Sequence, residues 1–497
     1  MANTKISNFV AGGTAQATDR IAAARSPFAA NSDDVYLLPS AIAQGGLNDS
    51  YHTVVGYGAT DTANGTELVA AYANAKTLTP GGNALSAGNR HTILVLPGNY
   101  LVGDGSLVLD TEFIDIIGIS PYTGATVYST GFTDYGDTII YSTGHTLGQT
   151  ANNVCIANLC LLTTSASKYA WNVTSALSTF TRLINVLITN SSAISNAAMN
   201  PSLLSWAGAY TDVRCWNESS FGNVNTVVVS GTFLRCKAGG YSFGCGVSAG
   251  NNSLVSGTFT DCEADGASFG TNGTASGTFR RCVFVSIEGI ASPMFGGNQI
   301  AQGTFEDCEA NGVANGSFGL TASGTFLRCR TATGASPIGG GGFGSGASGV
   351  ASGTFIDCEA GASSFGTSGA NGGTASGVFI NCKAGINSFA GGGTNPGTMS
   401  GFMYNCVLQG RLNANVSGRI ERMSIVCLNA NETAVLVANN AILYLCTFIA
   451  TGTGFSVDSP GGGATIKAAQ LTCNKGFGSN VTNAITTPYI VSDANAL

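Results

Sequence analysis

One short stretch holds the side chains from which a glycan site could be built: Trp206, Tyr210, Asp212, Arg214, Trp216 and Glu218. From Tyr210 onward they alternate with Thr211, Val213, Cys215 and Asn217, and a strand sends successive side chains to opposite faces. If Val213 and Cys215 point inward, Tyr210, Asp212, Arg214, Trp216 and Glu218 line one outer face. Aromatic rings stack on sugars and carboxylates accept bonds from hydroxyls, so Trp206, Tyr210, Arg214 and Trp216 are candidates for glycan binding. Hydrolysis would need two carboxylates flanking the bond, about 5 Å apart for retention or about 6.5–9.5 Å for inversion. Asp212 and Glu218 are weak catalytic candidates, because six residues of strand separate them by roughly 20 Å. Each would need a partner from a neighbouring segment. The competing reading is an ordinary outer face that packs on another subunit or pairs with adjacent charges.

Other chemistry has less to stand on. Glu112/Asp115 and Asp134/Asp137 lie in loop-rich or capping sequence, and His52, His91 and His145 are scattered singly. CxxC pairs are absent, so neither a metal site nor a cofactor is expected.

The elements that must position these residues are set by a repeat. Cysteines recur from Cys215 through Cys236, Cys262, Cys282, Cys308, Cys329, Cys358, Cys382, Cys406, Cys427 and Cys446 to Cys473, at intervals of 19 to 29 residues. Around the central ones a similar phrase returns: SGTFLRC at Ser230 to Cys236, SGTFTDC at Ser256 to Cys262, SGTFRRC at Ser276 to Cys282, and so on to a decayed SGFMYNC at Ser400 to Cys406. Most copies are followed by a second aromatic in SFG or a variant, from Phe243 to Phe389. Periods of this length mean a solenoid, propeller or array. Short β-prone runs between Gly/Ser/Asn/Thr clusters exclude helical repeats, and the units are half a propeller blade. A parallel β-helix with one coil per unit fits, a rod of roughly 60–80 Å for a dozen or more coils.

Stacked coil on coil, Cys236, Cys262, Cys282, Cys308, Cys329, Cys358, Cys382 and Cys406 form an internal ladder and act as small buried hydrophobes. Phe233 and Cys236 are three apart, so both point inward only if the chain bends between them, at the Arg, Asp or Asn before each cysteine. The residues flanking the cysteines read Arg235/Lys237, Asp261/Glu263, Arg281/Val283, Asp307/Glu309, Arg328/Arg330, Asp357/Glu359 and Asn381/Lys383. The sign alternates along the stack, which specifies register between near-identical coils.

Composition agrees. Of 497 residues 70 are glycine and only 9% are charged, against 44% hydrophobic and a mean hydropathy of +0.23. Disorder is excluded by the apolar content, collagen by the absence of a glycine period, and a membrane-spanning helix by the lack of a long apolar run. With 20 Lys+Arg and net charge −7, no nucleic-acid surface is expected. No apolar export segment follows Met1, so the chain is expected to fold in a cytoplasm and its 15 cysteines to stay reduced.

Ahead of the repeat, Asn64 to Lys76 is the best helix candidate, with Leu68, Ala71, Tyr72 and Ala75 on one face. His91 to Tyr100, an apolar strand closed by a Pro-Gly turn, follows it. This pairing of LVAAYANAK with ILVLPGNY resembles the N-terminal cap and first coil of pectate-lyase-like right-handed β-helix proteins, including bacteriophage tail spikes. The opening, Lys5 to Gln44, resembles the leader of phage tail-fibre and other virion appendage proteins. The resemblance implies an all-β, single-stranded right-handed parallel β-helix: leader 1–45, capping helix and first coil 46–100, β-helix 101–480 and tail 481–497. It further implies a virion protein made in the host cytoplasm, commonly a homotrimer, bound to other tail proteins through its N-terminus and meeting a host surface polysaccharide. The chain lacks an obvious C-terminal trimerisation segment after Cys473. The function expected is therefore a structural attachment appendage; the alternatives are a depolymerase tail spike of endo-glycosidase type and a non-viral β-helix adhesin or filament subunit.

Overall fold

The computed structural model describes residues 51–491 apart from short stretches, most of them in the loops that close the turns. The expected leader, 1–45, lies outside the described residues. Nearly all regular structure is β, with parallel strands stacked as a β-solenoid of about 12 turns and one helix near the N-terminus.

A regular turn carries three short strands, such as Val228–Val229, Thr232–Leu234 and Lys237–Ala238. Each pairs in parallel with its equivalent one turn on, placing Val229 beside Val255, Phe233 beside Phe259 and Lys237 beside Glu263. The first corner is the recurrent Ser-Gly. Ser230 and Gly231 both donate their N–H to the Trp206 carbonyl, and Ser256 and Gly257 do the same to Val229. Turns approach so closely here that a Cβ on Gly277 would lie 2.2 Å from the Gly257 carbonyl oxygen, and one on Gly303 would lie 2.2 Å from that of Gly277. Only glycine fits such a corner.

The second corner is the bend expected before each cysteine. Arg235, Asp261, Arg281, Asp307, Arg328, Asp357, Asn381 and Asn405 all take positive φ, between 50° and 55°. Asp and Asn tolerate this left-handed conformation, whereas an arginine is strained there. Burial then follows. Tyr210, Phe233, Phe259, Phe279, Phe305, Phe326, Phe355 and Phe379 form one stack of near-parallel rings at 4.6–5.0 Å. A second stack runs from Phe221 through Phe243 to Phe389 and meets the first edge to face, as between Phe233 and Phe243 at 5.5 Å.

All fifteen cysteines are free and buried. From Cys236 to Cys406 each ladder thiol donates to the carbonyl of the aromatic stack one turn earlier, as Cys262 to Phe233 at 3.4 Å and Cys329 to Phe305 at 3.3 Å. Three cysteines of the spacing pattern sit elsewhere. Cys215 is in register with Ala238 and Cys473 with Phe448. Cys427 lies within the strand Ser424–Ala430, and Met423, just before that strand, takes the ladder position, since Met423 accepts from Thr447 as Cys406 accepts from Ser424. Loops of unequal length break the link between spacing and register.

At the N-terminal end the helix spans Asp61–Ala75, with Thr60 as its N-cap accepting from the Ala63 N–H, and buries Leu68, Ala71, Tyr72 and Ala75. It is inserted after the strand His52–Val55, which pairs with His91–Val95, so the stack begins before the helix. At the other end the ladder passes residue 480: Val481–Asn483 pairs with Ala464–Ile466 and Ile490–Val491 with Thr472–Cys473.

Candidate functional site

The stretch 206–218 folds as the repeat does, which changes its faces. Gly208-Ala209-Tyr210-Thr211-Asp212-Val213 takes the register of Gly231-Thr232-Phe233-Leu234-Arg235-Cys236, with Tyr210 paired to Phe233. The chain bends at Asp212, where φ is 55°, and the bend resets the alternation. Tyr210 and Val213 both point inward.

The expected outer row is corrected accordingly. Tyr210 is fully buried and stacks on Phe233 at 4.6 Å; burial pushes its hydroxyl pKa well up. Trp206, in the strand Ser205–Trp206, is also fully buried, edge-on to Trp171 at 5.8 Å and to Phe221 at 5.7 Å. Neither ring can reach a glycan. Arg214 does face outward, half-buried, beside Lys237 in register. Trp216 and Glu218 lie outside the described residues.

Asp212 is held at both oxygens by Arg235, with Nε to Oδ1 at 2.7 Å and Nη2 to Oδ2 at 2.6 Å. The grip repeats along the bend row. Arg281 takes both oxygens of Asp261 at 2.6 and 2.8 Å, and Arg328 those of Asp307 at 2.6 and 2.9 Å. In the row before the bend Glu306 is shared by Arg280 at 2.7 Å and Arg328 at 2.8 Å, and in the row after the cysteines Lys237 meets Glu263 at 2.5 Å. Hydrogen bonds from Arg281 and Arg328 hold the carboxyls of Asp261 and Asp307 below their ordinary range, and Arg328 with Arg280 does so for Glu306. A general acid needs the opposite shift. These acids are committed to the stack.

Several other titratable groups among the described residues are held in structural contacts. Asp115 is buried, takes bonds from Arg90 at 2.7 and 2.5 Å and from the Cys155 N–H at 2.7 Å, and pins the first turns together. His91 is buried against the Thr53 hydroxyl at 3.0 Å, and His145 accepts the Tyr169 N–H at Nδ1. Burial raises the thiols of Cys155 to about 11 and of Cys215, Cys245 and Cys446 to about 12. They are neutral at ordinary pH.

The outward-facing rings lie elsewhere. In the decayed copy SGFMYNC, Phe402 and Tyr404 occupy the two outward positions that Thr232 and Leu234 hold in a regular turn, and Tyr444 continues the row beyond Glu421. The signal was in the sequence as an exchange of Thr and Leu for Phe and Tyr, legible only once the register of the strand is known.

No family model matches the chain, and no curated protein does. Among solved structures, a chain described as "Geobacillus virus E2 - ORF18" superposes with a TM-score of 0.20 at 12% identity, over 86% of this chain and 57% of that one. This chain thus spans a little over half of that chain's length, and so loose a superposition supports no inference of fold or function.

Proposed function

We propose that the protein is a structural, host-facing appendage of a phage particle, of the tail-spike or tail-fibre kind, that holds a host surface glycan without cleaving it. The observation that carries this reading is a stacked solenoid in which the outward carboxylates Asp212, Asp261, Glu306 and Asp307 are each taken up by an arginine. Such a surface favours rigid display over acid–base chemistry. In this reading the leader 1–45 joins the particle, and glycan contact falls to the outward residues of the irregular turns, with Arg214 and Trp216 as the candidates that burial does not remove.

The test incubates purified protein with envelope polysaccharide from the host. Binding without release of reducing ends, lost in Trp216→Ala, is the expected result. Release of reducing ends that Asp212→Ala or Glu218→Ala abolishes would make the protein a depolymerase. Absence of the chain from purified particles would remove the appendage reading altogether.

A further inference from the structure

Three loops of the early turns meet at one imidazole. His145 lies half-buried in the corner between the strands Thr138–Ser142 and Leu147–Gln149. Its Nδ1 accepts the Tyr169 backbone N–H at 3.1 Å, and its ring leans on the Tyr169 ring with centroids 5.5 Å apart. Just after it, Thr146 donates to the Tyr169 carbonyl at 3.2 Å and Leu147 to that of Ala170 at 3.0 Å. The side chain thus makes the first rung of a ladder that Leu147–Gln149 continues with Trp171–Val173. In the loop 103–106 the Asp104 carboxylate accepts the backbone N–H of His145 at 2.7 Å, and the Gly105 N–H donates to the His145 carbonyl at 3.1 Å. Gly144 lets that carboxylate lie against the chain, since a Cβ there would stand 2.2 Å from Asp104 Cγ. Lys168 reaches the other Asp104 oxygen only at 3.9 Å.

We propose that His145 is a proton-operated fastening: the neutral ring holds the loop 164–169 to the solenoid, and the protonated ring lets residues 166–169 go. A backbone N–H can only donate, so the bond from Tyr169 requires a lone pair on Nδ1 and places the single ring proton on Nε2. A second proton leaves the ring no acceptor and sets N–H against N–H at the Tyr169 amide. The ring must then turn away. The Asp104 carboxylate, loosely engaged by Lys168, is the acceptor beside it. Among the described residues, Asp104 and Lys168 are the charged groups that face His145 from the two neighbouring loops, the first favouring a charged ring and the second opposing it.

The release is local. Thr164 donates to the Ser142 carbonyl at 3.1 Å, and Asn190 Nδ2 donates to the carbonyl of Ser165 at 2.9 Å. Neither bond involves a titratable group, so the loop stays anchored at its start. Asn190 reaches the Lys168 carbonyl at 3.4 Å, a weaker tie. Histidine is the side chain that ordinarily changes charge between about pH 5 and 8, above the range in which carboxylates take up protons. The other two histidines, His52 and His91, lie on the strands His52–Val55 and His91–Val95 of the first turns. A change confined to 166–169 in that range therefore reports His145. The inference goes beyond the attachment role and does not depend on it.

Hydrogen–deuterium exchange of the full chain tests the inference, read at about pH 7.5 and about pH 5.5 and corrected for the pH dependence of intrinsic exchange. In the wild type the Tyr169 amide should lose protection about tenfold at the lower pH, as expected for the loss of one hydrogen bond, while the amides of 171–173 and 232–234 keep theirs. His145→Asn, whose side-chain oxygen accepts without titrating, should stay protected at both values. His145→Phe, which offers no acceptor, should be open at both. Wild-type circular dichroism and unchanged protection at 232–234 show that each variant is folded, and the wild-type comparison by itself needs no variant. Constant protection of Tyr169 in the wild type, an equal loss in His145→Asn, or a His145→Phe protected as the neutral wild type is would each overturn the inference.

Discussion

At the scale of single residues, the solenoid depends on side chains that are absent as much as on those present. The Ser-Gly corner recurs because the carbonyl of one corner glycine fills the space where the Cβ of the next would stand. Gly277→Ala should destabilise the protein by about 1–3 kcal/mol, the usual effect of forcing an extra group into a packed site. Ser276→Ala, whose side chain is half-exposed beside it, should stay within about 0.5 kcal/mol of wild type. Melting curves of the two variants compare them directly, and equal midpoints would deny the corner its role. The cysteines are a second residue-scale case. Because all fifteen are buried and free, and burial keeps Cys215, Cys245 and Cys446 near 12, a thiol reagent at neutral pH should label few of them in the native state and all of them in denaturant. Extensive native labelling would show that the ladder is open to solvent.

The element that decides register is the row of bends. Its residues are local oddities in sequence, an Arg, Asp or Asn before each cysteine, yet stacking turns them into a chain of opposite charges running from Asp212 to Asp357. Asp261, Glu306 and Asp307 have folded pKa values below their unfolded ones, about 3.9 for Asp and 4.3 for Glu. A depressed carboxylate contributes stability that is fully present above its unfolded pKa and is lost as pH falls through the folded one. Stability against denaturant should thus be flat above about pH 5 and decline below about pH 4, and high salt should shallow the decline because these pairs are exposed. An acid-insensitive protein would contradict the arrangement. The same bends explain what was legible in the sequence. The fold, the cysteine ladder of Cys236 to Cys406, the bend before each cysteine and the alternation of sign all follow from counting along the repeat. The site at 206–218 does not, because strict alternation fails across a bend: GAYTDV, Gly208 to Val213, belongs to the same frame as GTFLRC, Gly231 to Cys236, and Tyr210 is the first ring of the stack rather than an outward one. The outward rings Phe402, Tyr404 and Tyr444 escaped for a related reason. Outward and inward positions differ by one residue, and in the decayed copy SGFMYNC the aromatic residues take the two outward positions on either side of the inward Met403.

Across the whole molecule, each turn touches only its neighbours, so stability is close to a sum of turns and of the interfaces between them. Length alone should then predict that removing two turns is worse than removing one. The charge row reverses that order. Deleting residues 257–276 joins Ser256 to Gly277 and brings the turn of Arg281 directly onto that of Arg235, setting two arginines in left-handed bends on adjacent strands, where like charges repel. Deleting 257–302 instead joins Ser256 to Gly303 and brings Asp307 onto Arg235 and Glu309 onto Lys237, which restores opposite signs in both outward rows. Both deletions keep the Phe and Cys ladders continuous, because Phe279 and Cys282, or Phe305 and Cys308, take the vacated positions. The shorter protein should therefore melt at the higher temperature and give the greater soluble yield of the two. If the one-turn deletion proves the more stable, register is set by the aromatic stacks and glycine corners alone, and the alternating charges are only a solvated surface.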